Sequence, residues 1–343
     1  MILYGNGELG KLASQFFDFY NIKHLICEDT PSQKGVIKLE DISNKNISLI
    51  IICISTASYN KIRNKLRDKG FNNIKSFFEV AEEINKINGY KHPLTNGWKH
   101  KYSFSKKQIQ KVAKMFYYDF RSYHDYHQFF IWHKEYREHY IYEVECNDRY
   151  FISEITSILH NYETFLDVGS YDGRITEKFI TIVNNKFNKI CCFEPDPINL
   201  EKFQNNSNIS NIFNGPRCSL SSCALGNKNK KIGFKSNYGY LSKIDKKNNY
   251  KIQMTQLDSL RIEPTFIKYH LEGYELEAIK GSIKTIKKYR PIIAVTTYHT
   301  EEGLYKLPLY LIKNLKDYNF YWRNHNYQGQ GAVMYCIPKE RTK

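Results

Sequence analysis

FLDVGSYDG, residues 165–173, decides how this chain is read. Phe165, Leu166 and Val168 make a short apolar strand with Asp167 inside its end. Gly169 and Gly173 then space a loop whose backbone can approach a ligand that any Cβ would push away. Ile175, Phe179, Ile182 and Val183 follow at 3.6-residue spacing, so a helix begins directly after the loop and aims its N-terminus at the bound group. This is the first βα turn of a doubly wound α/β sheet. Glycine turns of this kind also occur in α/β proteins without a cofactor, so the elements that follow carry the decision.

Residues 189–196, KICCFEPD, form a second strand that ends in Glu194 and is stopped by Pro195. A carboxylate there can accept both hydroxyls of a ribose, and NAD-binding folds share that geometry. The loop separates the two cofactors. GSYDG is not GxGxxG, and Asp167 sets a carboxylate where a pyrophosphate would be repelled, whereas S-adenosylmethionine has an amino group and a sulfonium but no phosphate. The reading therefore favours a methyl donor. Residues 221–226 end a further strand, with Ala224 placed to flank an adenine ring. Residues 266–270, FIKYH, are a buried strand ending at the same edge of the sheet as Asp167 and Glu194, so His270 and the turn after it face the reaction. A helix follows with Leu276, Ile279, Ile283 and Ile286 inward. Residues 291–297 are the next strand, with Tyr298 and His299 just past its end, and 320–323 with 333–337 form a closing antiparallel pair.

The 343 residues leave room for two domains, and three segments are expected. Residues 1–90 open with GNGELG at 5–10 and alternate strands (2–4, 22–27, 48–54, 74–77) with helices, as a small Rossmann-like unit. Two roles are open for it: a nucleotide or nucleotide-sugar pocket at Gly5, Gly7, Gly10 and Glu28, or a fold kept for packing or dimer contact. Residues 91–160 read as an aromatic-rich helical connector, with Ser105 as N-cap ahead of Ile109, Val112, Ala113 and Phe116. Its histidines, His124, His127, His133 and His139, match no recognised metal-ligand spacing. Residues 161–343 hold the central loop. The Lys/Asn-rich stretches 227–231 and 242–251 read as solvated loops around a short strand at 232–235.

The formal charge of +16 and pI near 9.2 are spread along the chain, with lysines alternating with Asn and Ile. A nucleic-acid footprint would be a concentrated stripe, so no nucleic-acid partner is expected, while anionic substrates are favoured electrostatically. Eight cysteines without a CxxC pair suit a reducing cytoplasm. No signal-peptide layout or membrane-length apolar run is present, so a cytoplasmic protein without a transmembrane segment is expected, with room for a homo-oligomer.

Residues 163–338 resemble the FkbM family of methyltransferases. The resemblance rests on FLDVGSYDG at 165–173, FEPDP at 193–197, CALGN at 223–227, TQLDSL at 255–260 and FIKYHLEGYELEAIKGS at 266–282, whose usual family form is FIKIDVEGAELEVLKGA. It implies a class I methyltransferase sheet and O-methylation of a sugar or polyketide hydroxyl, often on capsule or lipopolysaccharide glycans, with a nucleotide sugar or glycan precursor as substrate. Asp167 would then hold the donor's amino end, Gly169 and Gly173 its close approach and Glu194 the ribose. Ser170, Asp172, Asp196 and Ala224 complete the expected donor site. The family's acidic residue after IKI is His270 here. His270, Glu272 and His299 stand near strand ends on one edge and are the expected catalytic set, either with His270 as general base or with all three holding Mn²⁺, Fe²⁺ or Zn²⁺ rather than Mg²⁺. The plainer alternative is that Glu272 orients the loop and His299 is polar surface. A nucleic-acid methyltransferase would carry an Asn/Asp-Pro-Pro-aromatic turn where this chain has YHLEG. The changed residue 270 also leaves open a non-catalytic sugar-nucleotide-binding protein.

Overall fold

The computed structural model describes residues 1–31, 33–89 and 105–342. They form two units, one of Met1–Phe104, His124–Asn147 and Asn324–Ala332, the other of Ser105–Tyr123, Asp148–Arg323 and Val333–Lys343. The stretch read as a connector is thus divided between the units, and its residues 91–104 lie outside the described residues.

In the first unit, β1 (Ile2–Tyr4), β2 (Leu25–Glu28), β3 (Val36–Lys38), β4 (Ile50–Ile52) and β5 (Ile74–Ser76) make a parallel sheet in the order β3-β2-β1-β4-β5. Each residue of β4 is fully buried, as expected of a central strand covered on both faces. The edge strand β3 is new. It has two half-buried residues and one exposed one, too few for a periodicity to register. Within GNGELG, a Cβ on Gly10 would lie 2.0 Å from the Gly5 carbonyl oxygen, so that glycine answers to helix packing. Glu28 accepts the Asn6 N–H at 3.1 Å. The helix Tyr59–Asp68 is capped from afar: Glu138 accepts from the Tyr59 N–H at 2.8 Å and from Ser58 Oγ at 3.1 Å. His133 is a core residue packed on Phe129, and burial pushes its imidazole down to about 3. His124 bonds the Tyr142 hydroxyl at 3.2 Å and the His139 carbonyl at 3.1 Å.

The second unit is built on β6 (Thr164–Val168), β7 (Lys189–Phe193), β8 (Cys218–Ser221), β13 (Phe266–Tyr269), β14 (Ile292–Thr296), β15 (Tyr318–Asn324) and β16 (Ala332–Pro338), numbered to leave room for a second sheet between β8 and β13. The order is β15-β16-β14-β13-β6-β7-β8. All pairs from β14 to β8 are parallel, and β16 runs antiparallel to β14. This is the α/β sheet with a reversed last strand that the motifs imply. The strand order changes direction between β6 and β13, which opens a crevice at their carboxyl ends. Beneath it, Phe165 stacks on Phe179 at 4.3 Å and meets Phe266 at 5.0 Å, each ring contributing about 2–3 kcal/mol by burial.

The short strand read at 232–235 is present as part of a strand, but the lysine-rich stretches around it also contribute strands. β9 (Ala224–Leu225), β10 (Lys230–Lys235), β11 (Lys243–Ile244) and β12 (Lys251–Thr255) make a four-stranded sheet in the order β11-β10-β12-β9. Ile232 and Phe234 on β10, with Ile252 and Met254 on β12, close a small core of their own. The period-2 pattern was present but masked, because lysines fill the outward positions. At Ser105 the helix Lys106–Ala113 starts as expected, with no side-chain cap bond from the serine.

Candidate functional site

The carboxyl ends of β6, β7 and β13, together with the small sheet, surround a cavity of about 290 Å³ in the second unit. Gly169, Ser170, Asp172, Glu194 and Ala224 line it, as do His270 and Glu272. Glu194, on the last turn out of β7, is 6% exposed and accepts the Tyr171 N–H and the Asp196 N–H, each at 2.9 Å. Burial raises its pKa, these N–H groups opposing. Oε1 also accepts from Asn199 Nδ2 at 3.5 Å, while Oε2 keeps a lone pair for a further donor. Ser170 is buried, and its Oγ has no hydrogen-bond partner among the described residues.

Three expected donor-site residues do other work. Asp167 does not reach the cavity. It is fully buried and pairs with Lys268 Nζ at 2.8 Å, while Thr176 Oγ1 donates to its other oxygen at 2.8 Å. Lys268 also donates to the Gly169 carbonyl at 2.5 Å, so the loop is tied down from beneath. The carboxylate read as facing a ligand is therefore neutralised inside the sheet. Asp196 is the N-cap of the helix Pro197–Gln204, accepting from Ile198 at 2.9 Å and Asn199 at 3.1 Å. Gly173 makes room for neighbours rather than for a ligand: a Cβ there would lie 2.5 Å from Ile209 and 3.0 Å from the Phe203 ring.

Gly169 has φ +79°, and a Cβ on it would stand 2.0 Å from the His270 carbonyl oxygen. The close approach is between the β6 loop and the end of β13. Gly169→Ala is expected to destabilise the protein by about 3 kcal/mol, through left-handed strain and overpacking together. Urea unfolding monitored by tryptophan fluorescence checks this; an unchanged midpoint would contradict it.

Past β13 and β14, His270, Glu272 and His299 converge, with one ligand atom from each lying within 4.8 Å of the others. His270 Nε2 is 2.9 Å and His299 Nε2 3.3 Å from the same Glu272 oxygen. The outer nitrogens are anchored: the Tyr150 hydroxyl meets His270 Nδ1 at 2.7 Å, and Glu275 meets His299 Nδ1 at 2.7 Å. Glu272 sits at φ +48°, a strained position for a side-chain-bearing residue, which turns its carboxylate between the two rings. Burial opposes its ionisation, but His299 and His270 hold it well below the usual carboxylate range. Burial pushes His270 down to about 4, with Glu272 opposing and Arg149 and His299 adding to the fall. For His299, burial is overridden by Glu272 and Glu275, which raise it well above the ordinary histidine value.

His299 is 6% exposed, so it is not polar surface. Orienting the turn falls to Glu275, to which the sequence reading gave no role. Its carboxylate accepts from Leu271 N–H and Gly273 N–H at 3.0 Å and from Thr296 Oγ1 at 2.9 Å. Arg149 and Tyr150 also line the cavity and were not anticipated. Arg149 Nη2 donates to the Tyr298 hydroxyl at 2.8 Å, and the guanidinium stands 5.2 Å from the Tyr150 ring and 5.4 Å from the Tyr298 ring. The mark they left in the sequence was an arginine followed by two aromatics, Tyr150 and Phe151, in the segment leading to β6.

Comparison with known proteins agrees with this geometry. Residues 167–328 match the family model described as the methyltransferase FkbM domain. A methyltransferase FkbM from Methylobacillus flagellatus KT has a TM-score of 0.68 at 18% identity, covering 98% of this chain and 89% of its own. At that identity the likeness speaks for the fold. More distant are the SAH-bound methyltransferase PaMTH1 of Podospora anserina (TM-score 0.34, 11% identity, 75% of this chain and 96% of that one) and the N-methyltransferase NodS of Bradyrhizobium japonicum WM9 (0.30, 10%, 51% and 86%). No curated protein matches the chain in sequence. Among the described residues no helix is long and apolar enough to cross a membrane.

Proposed function

Starting from a chain that carries a methyltransferase domain of the FkbM type, we propose that it is an S-adenosylmethionine-dependent O-methyltransferase acting on a sugar hydroxyl of a nucleotide sugar or a surface-glycan precursor. The observation that carries this reading is one cavity lined by a ribose-type carboxylate, Glu194, past β7 and by His270 and Glu272 past β13, with His299 completing their cluster from behind. The sugar class is supported by the family resemblance. A hydroxyl acceptor is supported by the cluster, since an alcohol is a poor acid and must be made more nucleophilic before it attacks the sulfonium methyl.

The cluster fits a divalent metal better than a lone histidine base. Glu272 is ionised and can only accept, so His270 Nε2 carries the proton toward it and Nδ1 accepts from the Tyr150 hydroxyl. Neither nitrogen is left to take a substrate proton. His299 Nε2 lies 3.3 Å from the same carboxylate. With the protons of the two inner nitrogens displaced, two imidazoles and one carboxylate would suit Mn²⁺, Fe²⁺ or Zn²⁺, with His270 Nδ1–H then donating to the Tyr150 hydroxyl and His299 Nδ1–H to Glu275. When bound there, the ion would lower the pKa of the acceptor hydroxyl.

The remaining steps belong to the chain itself. Glu194 accepts the ribose hydroxyls and Ala224 flanks the adenine, which directs the sulfonium toward the cluster. The acceptor oxygen attacks the methyl carbon in line, the S–C bond breaks with its electron pair left on sulfur, and the acceptor's proton is released to water.

Calorimetric titration with S-adenosylhomocysteine, with and without Mn²⁺, alongside metal analysis of the isolated protein, tests this reading. Binding near micromolar affinity is the expected result, and absence of binding under both conditions would overturn it. Glu194→Gln should weaken that binding about tenfold to a hundredfold, because a charge-assisted bond to each hydroxyl becomes a neutral one. A panel of nucleotide sugars then reports the acceptor.

A further inference from the structure

We infer that Arg149 anchors the α-carboxylate of the methyl donor. The inference rests on the donor reading above and adds what holds the donor's amino-acid end. With the adenosine at Glu194 and Ala224, that end lies across the cavity toward Lys268, Tyr150 and His270, and it brings one carboxylate into a largely enclosed space. A buried carboxylate needs a cation with donors to spare.

Four cationic side chains line the cavity: Arg149, Arg174, Lys243 and Lys268. Lys268 is committed to Asp167 and the Gly169 carbonyl. Arg174 is 73% exposed and paired with Asp172 at 2.7 Å. Lys243, on β11, offers a point charge without the planar fork that grips both oxygens of a carboxylate. Arg149 supplies that fork. No carboxylate of the described residues pairs with it, its Nε–H is buried without a partner, and its one hydrogen bond goes to the neutral Tyr298 hydroxyl.

Its position fits the task. The Lys268 ammonium that holds the Gly169 carbonyl lies 5.4 Å from the Tyr150 ring, and the Arg149 guanidinium lies 5.2 Å from the same ring. Arg149 therefore stands one aromatic ring away from the loop that meets the donor. The guanidinium lies close to both the Tyr150 and Tyr298 rings and is hydrogen-bonded to the Tyr298 hydroxyl, so a planar fork is ordered before the ligand arrives. A carboxylate accepting from Nε–H and an Nη–H would satisfy the buried donor bidentately.

The test compares two ligands on the full-length protein by calorimetry: S-adenosylhomocysteine and 5′-deoxy-5′-(3-aminopropylthio)adenosine, which keeps the adenosine, thioether and amine but lacks the carboxylate. Arg149→Met is expected to weaken S-adenosylhomocysteine about 30-fold and the decarboxylated analogue less than twofold. Equal losses for both ligands, or no loss for either, would overturn the inference while leaving the donor reading intact. Failure of the unmodified protein to bind S-adenosylhomocysteine would remove the donor reading and the inference with it. Should the methionine variant not fold, Arg149→Lys keeps the charge but not the fork; a loss of about fivefold confined to S-adenosylhomocysteine supports the assignment, and equal affinities overturn it.

Discussion

Replacing His270 with alanine should lower methyl transfer by about 10³-fold while leaving S-adenosylhomocysteine affinity within a few-fold of the unmodified protein. The separation follows from the cavity's layout: the ribose carboxylate Glu194 stands past β7, and His270 and Glu272 stand past β13 with His299 behind them. Removing the imidazole takes away one inner ligand atom and leaves the Tyr150 hydroxyl and Glu272 without their partner. Metal content should fall in parallel with activity, which distinguishes lost metal from a lost orienting contact. His270→Asp returns the carboxylate found at this place in the family's usual motif. It should recover activity to within about tenfold and move the preference toward Mg²⁺, because two of the three ligands are then hard oxygens. An alanine variant with unaltered turnover and metal content would remove the cluster from the mechanism.

The sequence told most about residues whose roles follow from strand ends. His270 and His299 belong to two different strands, yet both could be placed at one edge of the sheet, because ligands of open α/β sheets gather at carboxyl ends. Glu194 was legible for the same reason. The misreadings share another cause: a side chain at a strand end can turn into the sheet as readily as out of it. Asp167 turns in because Lys268, its register partner on β13, waits there. The two are 101 residues apart, and a single lysine in an otherwise apolar strand was the only mark of the pair. Asp196 was misassigned although its signal was local, since an Asp directly before a proline at the first helical position is a capping pattern. Glu275 was passed over because a helix's first turn commonly carries an acid for its dipole alone, and nothing local tells that its carboxylate joins three elements. The small sheet was missed because its outward lysines made a half-buried surface look like a loop.

Lys268→Met should destabilise the second unit by about 3–5 kcal/mol, since it leaves the Asp167 carboxylate ionised inside the sheet with only Thr176 to bond it. The pair is buried on both sides, with Lys268 1% and Asp167 0% exposed, so water cannot replace the lost partner. The double variant Asp167→Leu, Lys268→Met removes both charges together and should regain most of that loss, because two apolar side chains suit a site between β6 and β13. The recovery ought to stop short of the original stability. Lys268 also holds the Gly169 carbonyl, and no apolar side chain can donate to it. The part not recovered should appear in function instead: the Gly169 loop of the double variant is untethered, so affinity for S-adenosylhomocysteine should fall about tenfold even where the protein is fully folded. Urea midpoints for the two single variants and the double variant, with calorimetry on the double variant, separate the two contributions. Additive losses would mean that Asp167 and Lys268 are not coupled, and full donor affinity in the double variant would mean that the loop holds its shape without the lysine.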